Sequence, residues 1–257
     1  MLFGLKFVFI LFVCYTFSGG SSMKKVLIII PAYNEGENIL KTVNDLIAVN
    51  KNVDYIVIND GSKDNTREVC LNNKLNFIDL PVNLGIGGAV QTGYLYAYNN
   101  NYDIAIQYDG DGQHNPKYID DLINDIDGGN DLSIGSRYIS KLSKFRSTKM
   151  RQVGIKFLSW LIRIIAGKKI YDPTSGFRAC NKRIIKLFAF NYPIDYPEPD
   201  SVTRIIKMGY NVGEIPVEMN ARQNGSSSIN FIDSIYYMIK VSICIISANY
   251  VKKEVKK

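Results

Sequence analysis

The chain predicts an α/β fold, a largely parallel sheet flanked by helices, and three observations carry that prediction. Apolar runs of strand length alternate with helical stretches from Met23 onward. Each strand runs directly into a polar cluster. No internal repeat or low-complexity linker interrupts the alternation, which implies parallel strands joined by right-handed crossovers. With 257 residues, 46% of them hydrophobic, the chain can bury a large core.

The first strand is Val26–Ile30, followed by Pro31-Ala32-Tyr33-Asn34-Glu35. A helix comes next, because Ile39, Leu40, Val43, Leu46 and Ile47 fall on one stripe. Tyr55–Asn59 forms the second strand and runs into Asp60-Gly61-Ser62, with a helix near Thr66–Asn72. Phe77–Leu80 is the third, leading through Asn83-Leu84-Gly85-Ile86-Gly87-Gly88 into another helix. That glycine cluster lacks the last glycine of a dinucleotide fingerprint and follows the third strand, so it is not read as one. The fourth strand begins at Ile104, and the fifth, Asp131–Gly135, ends at Ser136-Arg137-Tyr138.

The fourth strand ends at Asp109-Gly110-Asp111-Gly112-Gln113-His114. In an extended chain Asp109, Asp111 and Gln113 share one side, and the glycines leave the other side bare. Three converging oxygen-bearing side chains suit a hard divalent cation, Mg²⁺ or Mn²⁺, with substrate phosphates supplying further ligands. The plainer reading is a polar turn, with Asn115 capping a helix over 116–127 and Pro116 at its first position. In open α/β sheets the ligand crevice lies beyond the carboxyl ends of the strands. Glu35, Asp60, Asp109, Asp111 and Arg137 therefore gather on one rim.

The net charge is +7, and the tail from Val251 to Lys257 carries four lysines and one glutamate. Such a tail suits an anionic membrane surface. Nucleic acid is not implied, since no basic face with interleaved aromatics appears elsewhere. Cys14, Cys70, Cys180 and Cys244 lie far apart without a CxxC pair, which points away from zinc and from a disulfide framework. Residues 1–22 form an apolar leader, signal-like or read from too early a start, before a domain at 23–230 and a membrane-associating helix and tail at 231–257. Lys24 and Lys25 outweigh Lys6, so even an inserted leader keeps the domain cytoplasmic.

PAYNE at 31–35, NDGS at 59–62, NLGIGGA at 83–89, DGDGQH at 109–114 and GSRY at 135–138 resemble family 2 glycosyltransferases of GT-A fold. The resemblance points to the branch of dolichyl-phosphate mannose synthase and bacterial polyprenyl-phosphate glycosyltransferases. Asp172–Arg178, Tyr196–Asp200 and Arg222–Ser228 match later blocks of the same branch in the same order.

The resemblance implies an inverting transferase that uses a nucleotide-diphosphate sugar, a divalent metal and a polyprenyl phosphate acceptor on the cytoplasmic face of a membrane. Pro31, Tyr33, Glu35, Asp60, Asp109 and Arg222 would bind the donor, with Asp111 and Gln113, beside Asp109, holding the metal. Arg137 and Arg178 would meet the acceptor phosphate, which a guanidinium fork suits. Asp111, Arg137, Glu198 and Asp200 are the expected catalytic residues. Glu198 or Asp200 becomes a general base if the acceptor is instead a glycan or glycolipid hydroxyl. Relatives carry Glu where this chain has the shorter Asp200. A non-catalytic membrane scaffold on the same fold is the alternative from another class, and the intact acidic motif speaks against it.

Two further segments bear on the membrane. Val153–Ala166 and Ile235–Tyr250 are apolar and aromatic, yet short of the roughly 20 residues that span a bilayer. Both suit the interface plane of a peripheral protein. For 153–166, a core or homo-oligomer helix is the competing reading.

Overall fold

The computed structural model describes residues 24–50, 52–139, 149–220 and 231–251. The leader, Arg222 and the basic tail beyond Val251 lie outside the described residues. Seven strands form one sheet in the order β3-β2-β1-β4-β6-β5-β7. They are β1 (Val26–Ala32), β2 (Asp54–Asn59), β3 (Phe77–Asp79), β4 (Ile104–Gln107), β5 (Leu132–Ser136), β6 (Arg178–Asn181) and β7 (Val212–Pro216).

β1 is buried along its whole length. Leu27 and Ile29 join one core while Val26, Ile28 and Ile30 join the other. A strand covered on both faces has no polar side to show, which is why it reads as a continuous apolar run. Helices α1 (Ile39–Val49), α2 (Thr66–Asn72), α3 (Gly85–Asn99), α4 (Ile119–Asp127) and α6 (Lys182–Phe190) supply that cover. α3 meets α6 through an aromatic triad, with Tyr94 5.1 Å from Phe188 and 5.4 Å from Tyr192.

The expected helix near 116–127 is a 3-10 turn, Pro116–Tyr118, running into α4. Asn115 caps it by accepting from the Lys117 amide, with Pro116 at the first position. Sequence reasoning did not find β6, which runs antiparallel to both β4 and β5 in an otherwise parallel sheet. Its four residues, Arg-Ala-Cys-Asn, show no apolar run that marks a strand. Cys70 and Cys180 are buried free thiols and Cys244 is half-buried.

α5 (Lys149–Ala166), α7 (Pro197–Lys207) and α8 (Phe231–Ser247) form a separate layer. Gly154 of α5 lies against Met238 of α8. Among the described residues no helix is long and apolar enough to cross a membrane.

The chain leaves β1 through α1 toward β2 and β3, then returns through α3 to β4 on the other side of β1. The strand order thus reverses between β1 and β4. A crevice opens at such a switch point, beyond the strand ends.

Candidate active site

A cleft of about 490 Å³ occupies this position. Pro31, Ala32, Tyr33 and Glu35 line it from the end of β1, Asp60 from the end of β2, and Asp109, Gly110 and Asp111 from the end of β4. Asn83, Gly85, Ile86 and Ala89, at the start of α3, close it. Sequence reasoning noted this glycine-rich stretch without placing it in the site.

The loops after β1 and β2 are tied together. The Asn34 amide donates to Ser62 Oγ at 2.9 Å, and the Glu35 amide donates to Thr66 Oγ1 at 2.9 Å. Asp64 accepts from the Gly36 and Thr66 amides and from the Thr66 hydroxyl. Burial raises its pKa, but these donors outweigh that and hold the carboxyl below its ordinary value. Asp60, almost fully buried, accepts from the Leu84 amide at 2.7 Å, so it also fixes the loop that enters α3.

The acidic motif is the polar turn of the plainer reading, and its residues do not continue the extended strand. Gly112 has φ +73°, a conformation that a residue with Cβ resists, and the Gln113 amide donates to Asp111 Oδ1 at 3.0 Å. The turn still brings Asp109 and Asp111 to one wall, but it leaves Gln113 out of the cleft lining. The Gln113 carbonyl instead accepts from the Asn220 amide at 2.8 Å.

Sequence reasoning gave His114 no role in the site. Its Nε2 lies 3.0 Å from Asp109 Oδ2. An ionised carboxylate only accepts, so this nitrogen carries the proton. The ring is buried, stacks on Phe177 at 4.8 Å, and leaves Nδ1 without a partner among the described residues. Gly176 admits the opposite approach, since a Cβ there would sit 2.9 Å from Asp109 Oδ2. Burial raises the Asp109 pKa, but His114, Gln107 and Arg137 together hold it below the ordinary value.

Arg137 stands just past β5, yet its fork is engaged within the fold. Nε donates to Asp172 Oδ2 at 2.6 Å and Nη2 to Asp172 Oδ1 at 2.7 Å, with Thr174 Oγ1 at 3.0 Å. Both partners are buried. Burial works against the Arg137 charge, and Asp172 restores it, leaving its pKa raised. Asp172 in turn receives its own amide support from Glu214, which accepts from the Tyr171 and Asp172 amides.

Arg178, expected at the acceptor phosphate, is completely enclosed. Its guanidinium donates to the Ser175 and Glu198 carbonyls and to Ser201 Oγ. It ties β6 to α7 and does not reach the cleft surface. Glu198 and Asp200 separate in the structure. Burial raises the Glu198 pKa against the opposing pull of Arg178, with Asp109 adding to the rise. Asp200 turns the other way and accepts from Arg204 Nε at 2.7 Å, and neither carboxylate is among the residues lining the cleft.

Residues 27–190 match the sequence model of glycosyl transferase family 2. The chain belongs to that family. This family 2 glycosyltransferase is 35% identical over 220 residues to the UDP-N-acetylglucosamine–dolichyl-phosphate N-acetylglucosaminyltransferase of Methanococcus voltae, covering 76% of this chain and 85% of the relative. It is 29% identical over 216 residues to the polyprenol monophosphomannose synthase of Mycolicibacterium smegmatis, covering 80% and 82%. Among solved structures, glucosyl-3-phosphoglycerate synthase of Mycobacterium tuberculosis, in complex with Mn²⁺, UDP and phosphoglyceric acid, superposes with a TM-score of 0.68. That likeness covers 90% of this chain and 81% of the other at 17% identity, and it shows the shared GT-A fold.

A divalent cation fits the donor set of this family 2 enzyme. Among the described residues no three His, Cys, Asp or Glu side chains gather into a metal cluster. Asp109 and Asp111 line one wall of an open cleft instead. Two carboxylates completed by water and phosphate oxygens are what a magnesium-type ion takes, in contrast to an all-protein cage.

Proposed function

We propose that this enzyme transfers a sugar, with inversion, from a nucleotide-diphosphate sugar to a polyprenyl phosphate at the cytoplasmic face of a membrane. The observation that carries the reading is the cleft at the β1/β4 switch point, with two carboxylates on one wall and the loops after β1 and β2 on the other. The relatives named for dolichyl-phosphate and polyprenol substrates support the acceptor class.

In this reading Pro31, Tyr33, Glu35 and Asp60 receive the nucleoside, and Arg222 joins the donor. Asp109 and Asp111 would hold the cation beside the diphosphate, His114 orients Asp109, and Gln113, turned out of the cleft lining, takes no part. The cation, when bound, neutralises charge on the departing nucleotide diphosphate. Arg137, fixed by Asp172, sets positive charge behind Asp109 where an acceptor phosphate must approach. A lipid phosphate is anionic near neutral pH and attacks without a strong base. Arg178 holds α7 in register with β6 and acts on the acceptor only through that support.

The exposed apolar residues of α5 and α8 support a membrane surface as the setting. Val153, Phe157, Trp160 and Ile164 share one face of α5, and Tyr236, Ile239, Ile243 and Ile246 share one face of α8.

A second reading takes a hydroxyl acceptor. Glu198, close enough to Asp109 for that charge to add to its raised pKa, is the carboxylate such a reading would use as base. Calorimetric titration with a panel of nucleoside diphosphate sugars, with and without Mn²⁺, tests the donor half of the proposal. Metal-dependent binding of one or more donors is expected. Equal binding in excess chelator overturns the metal assignment.

A further inference from the structure

A second concavity, of about 450 Å³, lies on the α5 side of the molecule and shares no lining residue with the cleft. Lys156, Arg163 and Lys169 ring it, with Tyr138, Trp160 and Tyr171 between them. Ile155 and Ser159, both buried, form its floor. Among the described residues no carboxylate lines it. Asp172, next to Tyr171, is committed to Arg137, and Glu214 to the Tyr171 and Asp172 amides. Three cations around one concavity call for an anion.

The position on the helix narrows the choice of anion. Val153, Phe157, Trp160 and Ile164 point outward along one stripe of α5. At 3.6 residues per turn, Lys156 and Arg163 lie roughly a quarter turn to one side of it, and Gly154, against Met238 of α8, lies to the other. The groove therefore borders the stripe that a membrane would bury, with Trp160 shared by both. The anion belongs at headgroup depth.

We infer that this groove binds the phosphate headgroup of an anionic membrane phospholipid. The inference rests on the reading that the α5–α8 face meets a membrane. The phosphate bound here is not the reacting one, because a reacting oxygen must come within about 3–3.5 Å of the sugar carbon. The Arg137–Asp172 pair is next in sequence to Tyr138 and Tyr171 of the groove, and the Arg137 charge acts on Asp109 of the cleft.

Flotation of the full chain with phosphatidylcholine vesicles, with and without phosphatidylglycerol, tests it. The triple variant Lys156→Gln/Arg163→Gln/Lys169→Gln should lose roughly 100-fold in affinity for phosphatidylglycerol vesicles, as each cation near an anionic surface contributes about fivefold. Its nucleotide-sugar binding in the cleft, measured by calorimetry, should match the wild type and thereby report an intact fold. A control triple, Lys24→Gln/Lys182→Gln/Lys186→Gln, removes equal charge from exposed lysines outside α5, α8 and the groove. It should lose less than about threefold. Equal losses in both triples, or none in the groove triple, overturn the headgroup site and leave the membrane reading standing. A groove triple that binds vesicles normally but shows a raised acceptor KM in detergent assigns the groove to the acceptor, which also overturns it. Wild-type protein that floats with neither vesicle overturns the membrane reading itself.

Discussion

Replacing Arg137 with Ala removes the cation from a pair that solvent scarcely reaches. Asp172 is fully buried and Arg137 nearly so, and the two meet through Nε and Nη2 at 2.6 and 2.7 Å. In Arg137→Ala, Asp172 keeps the residue 137 amide and the Thr174 hydroxyl as donors but loses its counter-charge. Stranding one member of such a pair costs about 3–5 kcal/mol. For a domain of this size each kcal/mol moves the melting temperature by about 2–4 °C, so a fall of roughly 6–20 °C is expected. Differential scanning calorimetry or thermal circular dichroism reads it directly. Arg137→Lys keeps the charge, loses the fork, and should fall between the two. Lys24→Ala is the control, since its partner Asp127 is exposed with it and such pairs contribute at most about 1 kcal/mol. A fall under about 3 °C for Arg137→Ala, similar to the Lys24 control, refutes the assignment of Arg137 as a buried strut.

Asp111→Asn should abolish turnover and leave the melting temperature within about 2 °C of wild type, because the side chain is half-buried at a turn and not in the core. Excess chelator should silence the wild type, and Mn²⁺ or Mg²⁺ should restore it. His114→Phe keeps an aromatic ring against Phe177 but loses the contact to Asp109, so Mn²⁺ affinity by calorimetry should fall about 10-fold. Unchanged affinity removes His114 from the site. Burial pushes the Cys70 thiol up to about 11 and the Cys180 thiol up to about 12, so both stay protonated at pH 8. Neither should react with a thiol reagent in the native protein, and both should react in denaturant.

The parallel half of the sheet could be read from sequence because strands buried on both faces leave apolar runs a few residues long, each followed by its polar loop. The cleft followed from the same logic, since strand ends share a rim whatever their spacing in the chain. What escaped was long-range partnership. Nothing near Arg137 announces Asp172, 35 positions on, and so a buried, paired guanidinium read as an exposed one. Arg178 misled for the same reason, as its partners Ser175 and Ser201 come from a loop and a helix that meet only in the fold. Glu198 and Asp200 lie two apart, and a helix turns such residues to different sides, Glu198 toward Asp109 and Asp200 toward Arg204. For the acidic motif both an extended segment and a polar turn were open, and the structure takes the turn, because Gly112 adopts a left-handed conformation that alternation alone does not reveal.

A matched pair of acceptors distinguishes transfer to a lipid phosphate from transfer to a hydroxyl. Purified protein, Mn²⁺ and the radiolabelled nucleotide sugar that binds in calorimetry are incubated with a short polyprenyl phosphate or with the corresponding polyprenol. An organic-soluble, labelled product is expected from the phosphate alone, with the label released by mild acid and no product from Asp111→Asn. Labelled product from the polyprenol, or transfer only to a glycan hydroxyl, contradicts the lipid-phosphate acceptor and turns attention to Glu198 as the base.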